Sequence, residues 1–446
     1  MALGSALPVS AKFLPRVRLT QADVAELSAL ADESVRETLL SYEEYLYGQN
    51  RQLDMKRWKI VKENEAVKVY RERESAPHAN ARDRKATVEI GPKASLAAST
   101  RMPLMLVHGT VQGTIEDALY GSYADDTSSM RRRSMYEKDL MEDSAVVASL
   151  ESPTLEAPFQ QSYLSWLLRD FPGLNAVIRR RDFLLVNKMG VTTTSRGERI
   201  GYQLEHSVEH RDLPELTQAG IVRGKYSHCL VLRQLDPSRI ELFNQTVVDP
   251  GGSLMSYIAI QESAESLLSC GHMMASSQKK KLFYFMRKQA RANALSSSRA
   301  NGTRLSNASL SPGASVLARH QSMDRDVSDR CASCEKSISK LFSSGGVCCQ
   351  ICQQVRLRLV ACVCVLLYRP WVSDKLRLPS PPSLCRLTCQ IICSRCSLKK
   401  KIVIEATEKK VVLKPFVFCL ACTIRATKFS AEQVQVEELR ERQLSL

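Results

Sequence analysis

Four Cys-x-x-Cys pairs constrain this chain more than any other feature: Cys331/Cys334, Cys349/Cys352, Cys393/Cys396 and Cys419/Cys422. Thirteen of the fifteen cysteines lie between Cys331 and Cys422, a stretch without a histidine. Two residues between cysteines allow a tight knuckle that presents two thiolates to one metal. Two such knuckles supply the four soft, tetrahedral ligands that zinc prefers. Four pairs in series therefore predict two structural zinc ions held by these eight cysteines, where a single pair would fit a redox dithiol equally well.

The 446 residues leave room for two or three domains, and a 44% hydrophobic fraction supports at least one sizeable core. A net charge of +16 favours anionic partners, although Lys and Arg are spread along the whole length. Neither a signal-peptide pattern nor a run of eighteen apolar residues is present, so the reading is a cytoplasmic protein, peripheral at most on endosomal or other membranes. Clustered cysteines fit that reducing setting, and the sequons at Asn244, Asn301 and Asn307 are read as silent.

Residues 1–18 read as a disordered lead. Apolar spacing through Val24, Leu27, Leu30, Val35, Leu39 and Leu40 predicts a long amphipathic helix over 19–49, capped by Thr20 with Asp23. Alternation predicts a hairpin over 58–70, then strands at 104–113, 145–150, 161–168, 183–189, 201–208, 224–234 and 240–248. Residues 74–85 read as a polar loop, and Thr114 caps a short helix. A closing helix over 253–291 presents Tyr257, Ile260, Ala264, Leu267 and Leu268. The predicted class is α+β, with a helix, an antiparallel sheet and a closing helix. His206 and His210 beside Glu205 and Glu209 suggest acid–base chemistry, but on a strand Glu205 and His206 point to opposite faces, so both read as ordinary sheet residues. With no nucleophile elbow, phosphate loop or zincin motif, no enzymatic activity and no catalytic residue are expected.

The order of elements resembles a START domain, the helix-grip lipid-binding module, over residues 19–292. The phrases that carry the likeness are Arg57-Trp58-Lys59-Ile60-Val61-Lys62, Gly109 to Gly113, Arg181-Asp182-Phe183, Ile221 to Gly224 and Val248 to Gly251. The resemblance implies a cavity for one lipid between sheet and closing helix. Residues 293–329, rich in Ser, Ala, Asn and Arg, read as a flexible linker. Lys279 to Lys281 reads as a solvated helix face or a membrane contact.

Residues 330–429 then form a finger, with a tail over 430–446. Forty residues separate Cys352 from Cys393; deleting 355–390 leaves four and gives C-x2-C-x14-C-x2-C-x4-C-x2-C-x22-C-x2-C. With that deletion the segment resembles a FYVE-type finger. Valine codons begin with GT and glutamine can be CAG, so Val355 to Gln390 reads as a retained intron, the other reading being a genuine inserted loop. The resemblance implies a cross-brace: Cys331, Cys334, Cys393 and Cys396 on one zinc, Cys349, Cys352, Cys419 and Cys422 on the other. It departs from the family where Ser343 to Gln350 replaces the basic His-containing run that would hold a phosphoinositide, where Asp324 to Asp329 lacks the tryptophan motif, and where Ile391-Ile392 replaces an arginine. The segment thus reads as a degenerate relative of that finger, and the resemblance implies a membrane or protein docking module. The expected function is lipid binding or transfer without catalysis, with lipid and an anionic membrane surface as partners and no nucleic acid. The alternative is an interaction scaffold or RING-like ubiquitin ligase whose START-like domain binds no lipid.

Overall fold

The computed structural model describes residues 14–15, 17–64, 66–73, 91–100, 102–137, 141–169, 178–252, 254, 256–301, 347–351, 355–356, 391–392, 394–407 and 410–444. The expected lead before residue 14, the loop at 74–85 and all of 302–346 and 357–390 lie outside them. The chain divides into two compact units. Met1–Gln278, Ala406–Val411 and Ser430–Leu446 make the first, Lys279–Glu405 and Val412–Phe429 the second.

Helix α1 (Gln21–Glu43) starts at the predicted capping box: Thr20 Oγ1 accepts from the Asp23 amide at 3.2 Å, and the Asp23 carboxylate accepts from the Thr20 amide at 2.8 Å. It ends in a π turn over Glu44–Gly48. Leu27, Ala31, Ser34, Val35, Thr38 and Tyr42 form its buried stripe, with the Ser34 and Thr38 hydroxyls bonded back to the carbonyls of Leu30 and Ser34. Leu40, expected on the apolar face, is half exposed instead.

The sheet of the first unit contains β1 (Trp58–Glu63), β2 (Val67–Glu72), β3 (Met105–Gln112), β4 (Met141–Glu151), β5 (Gln161–Arg169), β6 (Arg181–Thr193), β7 (Arg199–Ser207), β8 (Val222–Arg223), β9 (Lys225–Asp236) and β10 (Arg239–Asp249). Its order is β1-β2-β3-β10-β9-β7-β6-β5-β4, antiparallel throughout, with β8 added parallel to β6. Because side chains alternate along each strand, the sheet has two distinct faces. The outer face packs Leu164, Leu184, Val186, Leu204 and Cys229 against Leu27, Ala31 and Val35 of α1.

Helices α3 (Ile115–Ser122) and α4 (Thr127–Glu137) cover the inner face. Met130 of α4 joins Tyr163, Leu167, Phe183 and Leu185, and Ile115 of α3 lies against Gly201. Thr114 caps α3 as expected, accepting from the Asp117 amide at 3.1 Å. The short helices α4 and α2 (Pro92–Thr100) escaped the sequence reading; the first amides of α2 are accepted by the Glu37 carboxylate at 2.8 and 2.9 Å. Neither has a clear apolar period, and α2 owes its start to a carboxylate 56 residues away.

The expected single closing helix is two, α5 (Ser256–Leu268) and α6 (His272–Asn301), parted by a 3-10 turn over Ser269–Gly271. Ser, Cys and Gly are weak helix formers, which places the break. Helix α5 packs on β1, β2 and β10 with Ala264 and Leu267 buried, while Tyr257, expected on that face, is 72% exposed. Helix α6 continues through residues 293–301, where the sequence suggested the start of a linker.

In the second unit, β11 (Val347–Cys348), β12 (Val355–Arg356) and β13 (Ile391–Ile392) form a small sheet, so the first two residues of the suspected insertion are paired. Strands β14 (Ser397–Ala406) and β15 (Val411–Cys419) pair around buried Ile402, Val403, Ile404 and Phe418, followed by α7 (Leu420–Lys428). Lys281 is no solvated residue: it is 1% exposed, and its Nζ donates to the Phe429 carbonyl at 2.7 Å. The segment read as a tail is helix α8 (Ala431–Gln443), grouped with the first unit, where Glu438 accepts from the Tyr120 hydroxyl at 3.1 Å and Arg442 pairs with Asp125.

Candidate binding site on the inner face, and a cysteine cluster

Register places polar residues of four different strands in one row across the inner face. Tyr163 of β5 pairs with Asn187 of β6, Asn187 with Glu205 of β7, and Glu205 with His228 of β9. The next row runs Gln161, Met189, Gln203, Leu230 and Asn244. Around these rows the inner face is apolar, with Phe183, Leu185, Leu232 and Leu242 buried. Each strand contributes one to three polar side chains to a surface that is otherwise hydrophobic.

The row is tied together by charge and hydrogen bonds. Arg133 of α4 reaches Glu205 at 3.3 Å and Glu137 at 3.7 Å, and the Tyr226 hydroxyl donates to Glu205 at 2.7 Å. Burial pushes the Glu205 carboxyl up, but Arg133, His228 and Tyr226 together outweigh it and hold the group below its ordinary value. Glu205 is therefore a fixed carboxylate. Burial pushes His228 down to about 4, against the pull of Glu205, so the imidazole is neutral at pH 7. Burial likewise raises Tyr163 to about 12.

Among the described residues three amide oxygens of this face lack partners, those of Asn187, Gln161 and Asn244, and the first two share a cavity. Asn187 Nδ2 donates to Ser165 Oγ at 2.7 Å, to the Leu185 carbonyl at 3.2 Å and to the Tyr163 carbonyl at 3.4 Å, which fixes the amide and leaves Oδ1 alone. Gln161 Nε2 donates to the Ala124 carbonyl and to Met189 Sδ, both at 3.0 Å, leaving Oε1 alone. Both residues are buried and line a cavity of about 10 Å³. An unpaired buried acceptor costs about 1–3 kcal/mol, so two in one cavity are a strong sign that a donor belongs there.

Glu205 and His206 point to opposite faces, as their spacing predicted, but neither is an ordinary surface residue. His206 is buried on the outer face with Nδ1 2.8 Å from Ser227 Oγ, and burial pushes it down to about 4. A larger groove of about 490 Å³ lies beside Leu14, Trp166, Leu213 and Leu216, where Arg223 is held by Asp182 at 3.1 and 2.9 Å. Asn187, Gln161 and Arg133 were missed from sequence. The one available signal was an asparagine inside the apolar run Phe183-Leu-Leu-Val-Asn-Lys-Met189.

In the second unit Cys349, Cys419 and Cys422 are buried, their sulfurs within 4.8 Å of one another. These are three of the four cysteines that the cross-brace assigned to one ion; the fourth, Cys352, lies outside the described residues. The Cys419 amide donates to Cys349 Sγ and the Cys422 amide to Cys419 Sγ, each at 3.3 Å. Amides aimed at sulfur stabilise thiolates, so the donor set suits a soft metal such as zinc. Cys419 also caps α7 through the second of these bonds. Cys396 is buried in the same unit, whereas Cys331, Cys334 and Cys393 lie outside the described residues.

No family model and no curated protein matches this chain. Solved structures do. Human StAR-related lipid transfer protein 5 aligns over 58% of this chain and 98% of its own, at 19% identity and a TM-score of 0.36. Human STARD10 aligns over 53% of this chain and 78% of its own, at 12% identity and a TM-score of 0.34. The lipid transfer and protein localization domain of human StarD13 covers 53% of this chain and 95% of its own, at 11% identity and a TM-score of 0.33. Among the described residues no helix is long and apolar enough to cross a membrane.

Proposed function

We propose that the first unit binds one lipid between the inner face of the sheet and helices α3, α4 and α5, and that the protein acts by holding or carrying that lipid rather than by chemistry. The observation that carries this reading is the polar row enclosed in an apolar face. A site of mostly hydrophobic lining with a few fixed polar groups suits a largely apolar molecule with one polar end. Glu205 is locked by Arg133 and Tyr226, an arrangement fit for orienting a ligand and poor for shuttling protons. Helix α5 follows Gly251 and Gly252, both at positive φ (64° and 66°), a backbone that glycine adopts without strain and that suits a hinge for admitting the ligand.

The second unit, in this reading, is a zinc-stabilised docking module at a membrane surface or on another protein. Native mass spectrometry of the full chain from a lipid-rich eukaryotic host tests the lipid reading. The expected spectrum contains a bound species of defined lipid mass, released on collisional activation. A bare mass that persists after incubation with mixed lipids would refute it.

A further inference from the structure

We propose that the inner-face site selects a lipid whose polar end is a neutral hydroxyl, and discriminates against one that ends in phosphate. The proposal rests on the lipid-binding reading above and adds the headgroup class. What the site offers is two amide acceptors with the Arg133 guanidinium as a donor beside them. Asn187 Oδ1 and Gln161 Oε1 are both unpartnered, and each is fixed in orientation because its own amide nitrogen is already committed. The two residues are 3% and 2% exposed, so bulk water does not satisfy them. Their oxygens require a donor, and phosphate diester or dianion oxygens donate nothing.

Charge points the same way. The cation beside this cavity, Arg133, stands between the carboxylates of Glu137 and Glu205, so an incoming anion meets a guanidinium already matched by two negative groups. The Lys188 side chain leaves β6 on the other face from Asn187 and pairs with Asp32 of α1, so it brings no charge to the inner face. A hydroxyl can donate to one amide oxygen while its own lone pairs face Arg133.

The test is a matched pair of lipids with identical acyl chains, dioleoylglycerol and dioleoylphosphatidic acid, offered to the full chain in neutral carrier vesicles. Dioleoylglycerol is expected to bind at least tenfold more tightly. Asn187→Leu and Gln161→Met are each expected to weaken dioleoylglycerol fivefold or more while leaving phosphatidic acid within twofold. Equal affinity for the two lipids, tighter phosphatidic acid, or an unchanged ratio in both variants overturns the hydroxyl assignment and leaves the lipid reading standing; in the last case the cavity serves a buried water only. If neither lipid binds and no other lipid in a mixed extract does, the lipid reading itself falls, and this proposal with it. Should Asn187→Leu fail to fold, Gln161→Met, which preserves chain length and shape, decides alone.

Discussion

His206 and His228 carry a pH dependence that follows from where the sheet puts them. Burial lowers each to about 4, against about 6.5 in an unfolded chain. Between pH 6.5 and 4 the unfolded state takes up protons that the folded state refuses, so stability rises with pH across that window and is fully present above it. Each histidine contributes about 1.4 kcal/mol per pH unit at most. Urea denaturation at pH 7.5, 6.5, 5.5 and 4.5 should show a falling midpoint below 6.5, with a shallower fall in His206→Gln. Parallel curves for the two proteins would show that His206 is not the group responsible. Asn244, one of the three sequons, is fully buried beside His228, as a silent site requires.

Between elements, the crossing of α3 and α6 in the first unit depends on one missing side chain. A Cβ on Gly121 would sit 2.0 Å from the Met273 carbonyl oxygen, where Ser276 Oγ also donates to the Gly121 carbonyl at 2.9 Å. That oxygen is backbone and cannot step aside. Gly121→Val is expected to cost about 1–3 kcal/mol by overpacking. Gly197, at φ 77° with nothing near its would-be Cβ, is the contrast: Gly197→Ala meets only backbone strain of about 1–2 kcal/mol. Thermal unfolding with and without bound lipid separates the two. The first variant should also loosen α3 over Gly201 and weaken lipid binding, and the second should leave binding unchanged. Equal binding losses would mean that α3 does not form part of the site.

For the whole molecule, the cysteine cluster predicts a metal dependence confined to the second unit. Cys419→Ser replaces one sulfur of the three-cysteine cluster by an oxygen that can still accept the Cys422 amide and cap α7, so it tests metal binding with the helix start kept. Bound zinc, measured by chromogenic release, should fall by one ion per chain, and proteolysis within 394–428 should quicken while lipid binding by the first unit persists. Zinc content equal to that of the parent protein would refute the assignment. Because α8 and residues 406–411 belong to the first unit, a fragment ending near residue 292 lacks part of it, and these measurements call for the full chain. What the sequence determined unaided was whatever depends on near neighbours: the capping box at Thr20, strand positions from period-two alternation, the opposed directions of Glu205 and His206, and the knuckle spacing that brings Cys419 and Cys422 together. Tertiary structure alone decided the polar row, since Tyr163, Asn187, Glu205 and His228 become neighbours only through the register of four strands, and no single strand records that register. It also decided Arg133, which reads as one of three surface arginines until α4 turns it beneath the sheet, where two carboxylates compensate the loss of water.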